Sequence, residues 1–165
     1  MAGTVYLCAT PIGNLEDISL RVLHILKTVD FIAAEDTRHT LQLLNHFHIA
    51  TPMTSYHEHN KQTKGKKLLE RVENGEHMAL VTDAGMPGIS DPGADFVKLC
   101  YEKEIPLTVV PGASAVITAL VLSGLDTRRF VFEGFLSSEK KQRRMILQTL
   151  QKEHRTIVLY EAPHR

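Results

Sequence analysis

Three loops bearing glycine and proline, each behind a short apolar run, constrain this chain more than any other feature. They are Thr10-Pro11-Ile12-Gly13-Asn14, the long stretch Asp83-Ala84-Gly85-Met86-Pro87-Gly88-Ile89-Ser90-Asp91-Pro92-Gly93, and Pro111-Gly112-Ala113-Ser114. The runs before them, residues 4–9, 78–82 and 107–110, read as buried strands, and helical patterns follow each loop. If the strands are parallel, all three loops leave one edge of one sheet. Open α/β sheets bind ligands at that edge, because backbone N–H groups and helix N-termini point outward there. Glycine lets main chain touch a ligand, and proline restricts the loop. An ordinary βα turn accounts for any one loop alone. The middle one holds more Gly and Pro, with two flanking carboxylates, than a short turn needs. The pattern points to a small-molecule site built largely from backbone.

Two further extended segments, residues 31–34 and 53–56, bring the strands to five. Ile18, Val22, Ile25, Leu26 and Val29 recur at helical spacing behind Asp17, which is placed to cap that helix. Further helices are expected at residues 40–47, 61–73, 94–102 and 114–122, and Asn74-Gly75 should end the second of these. Strands alternating with helices predict an α/β fold: a mainly parallel five-stranded sheet with helices on both faces. Ser123-Gly124-Leu125-Asp126-Thr127 breaks the pattern. The expected organisation is an N-terminal α/β domain over residues 1–124 and the start of a second α/β domain over 125–165. That second part reads as strands at 130–135 and 156–160 around a basic helix at 139–153, too little for an independent core.

The formal net charge is zero, so nothing in the overall balance advertises nucleic acid. Any such contact must be local, and basic residues cluster at Lys61, Lys64, Lys66, Lys67 and Arg71 and again at Arg128, Arg129, Lys140, Lys141, Arg143 and Arg144. Solvated helix faces are the simpler explanation of these clusters. Cys8 and Cys100 are the only cysteines, in no metal-ligand spacing, which fits a cytoplasmic protein with buried thiols. No signal peptide is read at the N-terminus, and the apolar stretch 115–122 is too short to span a bilayer. Neither G-x-G-x-x-G nor G-x-x-x-x-G-K-[ST] occurs. His57 and His59 could share a face of an extended segment, but spacing supplies no third ligand, and no metal site is expected. Glu35-Asp36-Thr37-Arg38 follows the second strand to the same sheet edge, where it reads either as a helix cap with an ion pair or as functional.

Seven segments in register sharpen this reading. Thr10-Pro11-Ile12-Gly13-Asn14-Leu15, Ala34-Glu35-Asp36-Thr37-Arg38, Tyr56-His57-Glu58-His59-Asn60, the run from Thr82 to Gly93, Val110-Pro111-Gly112, Glu133-Gly134-Phe135-Leu136 and Tyr160-Glu161-Ala162-Pro163-His164-Arg165 occur in one order. Together they resemble the branch of the tetrapyrrole methylase superfamily that methylates a cytidine of 16S rRNA on its ribose 2'-hydroxyl. The resemblance implies a two-domain homodimer, not bound to membrane, that holds S-adenosyl-L-methionine in the cleft between its domains and acts on the 30S ribosomal subunit. Members of that branch are longer, so the expectation is a chain lacking most of its second domain and impaired in turnover. By the same resemblance, Pro11, Asp83, Ala84, Gly85, Met86, Ile89, Ala113 and Ser114 would cradle the cofactor. Asp36 and His57 are the candidates for the general base, and Glu35, Arg38, Arg143 and Arg144 for contacts to the substrate. Two other readings stay open: a methyltransferase acting on a tetrapyrrole or another small acceptor, and a binding or dimerisation fragment without turnover.

Overall fold

The computed structural model describes residues 1–162 and places five strands in one sheet. They are β1 (Val5–Cys8), β2 (Phe31–Ala34), β3 (Met53–Ser55), β4 (Met78–Val81) and β5 (Leu107–Val110). Their order is β3-β2-β4-β1-β5, and every neighbouring pair is parallel. Val5 stands opposite both Met78 and Leu107, and Ala34 opposite both Val81 and Ser55. The strands therefore end together, and the loops after β4, β1 and β5 leave side by side.

Four helices connect them: α1 (Leu20–Thr28), α2 (Thr37–His46), α3 (Lys61–Glu73) and α4 (Gly93–Glu102). Alternate strand residues serve opposite faces. Val5, Leu7, Phe31, Ala33, Met78 and Leu80 pack with Leu68, Leu69 and Val72 of α3 and Phe96 and Cys100 of α4. Cys8, Ile32, Ala34, Ala79, Val81 and Val110 pack on the other side with Val22 and Leu26 of α1 and Leu44 of α2. Burial on both faces is why β1, β2 and β4 read as continuous apolar runs. It also pushes the Cys8 and Cys100 thiols up to about 12, which leaves them protonated and unreactive.

Local capping differs from expectation in two places. Asp17 does not cap α1. Asn14 accepts from the Glu16 N–H and opens a short 3-10 helix, Leu15–Asp17, so the role passes to Ser19, whose Oγ accepts from the Val22 N–H at 3.1 Å. Helix α2 starts earlier than its apolar periodicity suggests, because Asp36 caps it and accepts from the Arg38 N–H at 2.8 Å.

Packing divides the chain into two units, Met1–Ser114 and Ala115–Arg165. The second holds α5 (Ala115–Leu122), β6 (Phe130–Phe135), α6 (Lys140–Leu150) and β7 (Thr156–Tyr160). Strands β6 and β7 pair in parallel, with an irregularity between Phe132 and Gly134, and α5 packs against β7. Pro163, His164 and Arg165, the end of the last segment quoted above, lie outside the described residues.

Candidate functional site

The end of β1 and the start of the middle loop are stitched into one surface. Thr10 N–H donates to the Gly85 carbonyl at 2.9 Å, and Gly85 N–H donates to the Thr10 carbonyl at 3.0 Å, a single antiparallel bridge at the edge of a parallel sheet. The Thr10 hydroxyl donates to the Thr82 carbonyl at 3.0 Å. Gly85 has φ +85°, and a Cβ placed on it would stand 3.4 Å from Ile12 Cγ2 and 3.6 Å from the Ala113 carbonyl oxygen. All three loops meet at this residue. The third comes close because Gly112 has no side chain: a Cβ there would lie 2.8 Å from that of Ala9.

The middle loop is wound around one carboxylate. Asp91 accepts from the backbone N–H groups of Gly88, Ile89 and Gly93, at 2.7 to 3.1 Å. Below it, the Tyr56 hydroxyl donates to the Pro92 carbonyl at 3.3 Å, while the Tyr56 ring meets Phe96 edge-on. The loop thus grows from the core instead of floating above it.

The segment after β2 joins the same edge. The Thr82 hydroxyl donates to Glu35 Oε2 at 2.6 Å, and the Asp36 N–H donates to Asp83 Oδ1 at 3.0 Å. Partial burial, helped by the Glu35 charge, pushes the Asp83 carboxyl above the ordinary aspartate range, although the Asp36 N–H opposes this. Asp36 is moved the other way. Arg38 contacts its carboxylate through Nε, Nη2 and the backbone N–H, holding it well below the usual range.

The expected site residues therefore divide. Pro11, Asp83, Gly85 and Ala113 come together; Ala84 and Ile89 are exposed on the same loop, and Met86 and Ser114 are half-buried. Glu35 and Asp36 reach this edge but are occupied by Thr82 and Arg38. His57 is held in the turn entering α3: its N–H donates to Asn60 Oδ1 at 2.9 Å, and its Nε2 lies 3.2 Å from Asn60 Nδ2. With Nε2 accepting, the proton sits on Nδ1, which is buried without a hydrogen-bond partner among the described residues. Arg143 donates to the Ser137 and Ser138 carbonyls beside its own helix, and Arg144 is exposed.

Sequence reasoning missed Thr10, Thr82 and Asp91. Their signals are plain afterwards: a threonine closes each of two strands before a Gly/Pro loop, and a carboxylate stands within three residues of two glycines. It also missed His39 and Gln42 of α2, which line a recess beside Pro11 and Asp83. No group of three His, Cys, Asp or Glu side chains among the described residues could hold a metal ion. No helix among them is long and apolar enough to cross a membrane.

Comparison with known proteins places this geometry. Residues 4–165 match the family of tetrapyrrole (corrin/porphyrin) methylases. The chain is 56% identical over 163 residues to ribosomal RNA small subunit methyltransferase I of Synechocystis, covering 99% of this chain and 58% of that protein. It is 54% identical to the protein of the same name from Halalkalibacterium halodurans, covering 99% of this chain and 56% of the relative. It thus spans somewhat over half the length of these relatives. Among solved structures, diphthine synthase superposes with a TM-score of 0.70 at 16% identity, over 98% of this chain and 66% of that one, a likeness of fold.

Proposed function

Because the chain belongs to the tetrapyrrole (corrin/porphyrin) methylase family, we propose that it is an S-adenosylmethionine-dependent methyltransferase acting on the ribose 2'-hydroxyl of a cytidine in 16S rRNA. The observation that carries the RNA acceptor is the 56% and 54% identity to proteins named for the small-subunit ribosomal RNA, along nearly the whole chain. The reading includes the 30S subunit as substrate, a homodimer and the cytoplasm as its place.

The residues present fit the cofactor. Gly85 leaves open a space that any Cβ would enter, next to a carbonyl of the third loop, and Asp83 offers a half-buried carboxylate beside it. Pro11, Ala84, Gly85, Met86, Ile89, Ala113 and Ser114 would line the bound molecule, with Asp83 accepting from its amino or ribose hydroxyl group. When bound, S-adenosylmethionine supplies a methyl group carried on a positively charged sulfur.

The chain's own work is positioning. Asp36 and His57 remain the candidates for the base, Asp36 held by Arg38 and His57 lying 3.2 Å from Asn60 Nδ2, so either would have to leave its partner first. A well-placed base contributes about 10²–10⁴-fold. Holding the acceptor oxygen in line contributes roughly 7–11 kcal/mol, the larger effect. The rigid, cross-bonded loops suit that task.

The test supplies 30S subunits and cofactor labelled in its methyl group. Label is expected in 16S RNA at one cytidine, slowly for a chain impaired in turnover, with the adjoining phosphodiester resistant to alkali, because a methylated 2'-oxygen cannot attack phosphate. Label entering a uroporphyrinogen acceptor instead of RNA would replace this reading with the small-acceptor one.

Asp83 adds a pH dependence. Its carboxyl is raised in the folded chain, so its grip on a cationic or hydroxyl donor is complete above that raised value and lost as the pH falls through it. For folding the sign is opposite: the folded state binds this proton more tightly, so this group stabilises the fold as pH falls towards the ordinary aspartate range. Asp83→Asn, which keeps an acceptor for the Asp36 N–H, is expected to weaken S-adenosylhomocysteine binding by about 10- to 150-fold at neutral pH and to flatten its acid limb. Calorimetry across pH reads both, and an unchanged acid limb would remove Asp83 from the cofactor's contacts.

A further inference from the structure

Beside the cofactor loops lies a recess of about 260 Å³, walled by the loop after β1 and by α2. Pro11, Leu15 and Leu43 supply its apolar surface, and His39, Thr40, Gln42 and the second oxygen of Asp83, whose Oδ1 accepts from the Asp36 N–H, are among its polar groups. We infer that this recess receives the cytosine base of the acceptor nucleotide, turned out of its stack. The inference rests on the rRNA reading above and adds to it the residues that choose the base.

Size comes first. Pockets for drug-sized ligands run to roughly 300–1,000 Å³. A recess just below that range takes a single flat ring and excludes a macrocycle. Charge comes next. Among the described residues no lysine or arginine lines it, so phosphate has no partner from them and stays outside, while a neutral base can enter. The hydrogen-bonding inventory is narrower than the lining suggests. The Thr10 and Thr82 hydroxyls already donate to the Thr82 carbonyl and to Glu35, and the Asn14 side chain accepts from the Glu16 N–H.

What remains matches cytosine. Gln42 carries a donor and an acceptor side by side, the complement of the N3 acceptor and N4 amino donor on the base's pairing edge. A carboxylate accepts from the cytosine N4 amino group but meets only a carbonyl oxygen at that position of uracil. His39 and Leu43 are four residues apart on α2, and Gln42 is one turn from His39, so all three reach the recess from one face of the helix. The His39 ring gives a flat surface on which an unstacked base can lie. Pro11 and Asp83 belong both to the recess and to the cofactor loops, so a base seated here leaves its ribose at their boundary. Enzymes acting on one nucleotide commonly extrude it into such a pocket.

The experiment is an amide NMR titration of the chain with cytidine 5'-monophosphate, with ribose 5-phosphate as the base-free control and uridine 5'-monophosphate as the wrong base. Shifts are expected at Leu15, His39, Gln42 and Leu43 with the cytidine nucleotide, weaker ones with the uridine nucleotide, and none with ribose 5-phosphate. Gln42→Leu, a change at an exposed helical position, is expected to weaken cytidine nucleotide binding about tenfold. His39→Phe should keep most of the affinity and His39→Ala lose it. Equal shifts with ribose 5-phosphate, shifts confined to other parts of the chain, or no loss in Gln42→Leu each overturn the inference. Methyl transfer to 30S subunits without shifts in the recess overturns it while leaving the function standing; shifts in the recess without methyl transfer do the reverse.

Discussion

Gly85→Val is expected to abolish S-adenosylhomocysteine binding while the chain stays folded. Gly85 sits at φ +85°, where a branched side chain is strained by about 1–3 kcal/mol. Its Cβ alone would stand 3.4 Å from Ile12 and 3.6 Å from the Ala113 carbonyl, and two further methyl groups must extend into the space between the loops. The strain falls on a sheet edge, away from both hydrophobic clusters, so stability should fall modestly, by about 2–4 °C in melting temperature per kcal/mol. Binding has no such reserve, because the space lost is the space the ligand needs. Gly85→Ala should retain measurable but weaker affinity. Calorimetry that finds Gly85→Val binding as tightly as the unaltered chain would remove the cofactor from these loops.

Asp91→Ala is expected to cost the most stability of any single change at the site, although Asp91 is assigned no contact with a ligand. Its carboxylate accepts from three backbone N–H groups within one loop, and Ser90 beside it is held at φ +62°. An unpaired buried donor costs about 1–3 kcal/mol. Even at the low end, the two partly buried ones, on Gly88 and Gly93, remove a sizeable part of the roughly 5–15 kcal/mol that holds a domain of this kind together, while the exposed Ile89 N–H can turn to water. The loop from Gly85 to Gly93 should loosen as a unit, taking cofactor binding with it. Urea denaturation reads the first effect, and hydrogen exchange at Gly88, Ile89 and Gly93 the second. Asp91→Asn, which keeps one acceptor oxygen, should fall between. Protection at those three amides surviving in Asp91→Ala would show that the carboxylate does not organise the loop.

The two changes probe different physical facts about one loop, and they were unequally visible beforehand. Gly85 stood out in the sequence because a glycine in such a loop announces unusual backbone or close approach. Asp91 looked like a flanking acid. Its work depends on Gly88, Ile89 and Gly93 turning their N–H groups to one point, and a linear pattern carries no angles. His57 shows the reverse case: its place after β3 suggested chemistry, yet Asn60, three residues on, occupies its backbone N–H and its ring nitrogen. Asp36 read equally as a cap or a functional carboxylate, and the cap and the ion pair with Arg38 are both present.

Apolar runs of four or five residues, helical spacing between them and Gly/Pro punctuation determined the alternation of strands and helices, the parallel sheet and the edge from which the loops leave. These are local consequences of period and of backbone freedom, so they survive reading one residue at a time. The order β3-β2-β4-β1-β5, the Thr10 to Gly85 bridge, the stitching of Glu35 to Thr82 and the recess between the first loop and α2 were decided only in three dimensions. Each joins residues tens of positions apart, and which partners meet there depends on how the strands are ordered in the sheet.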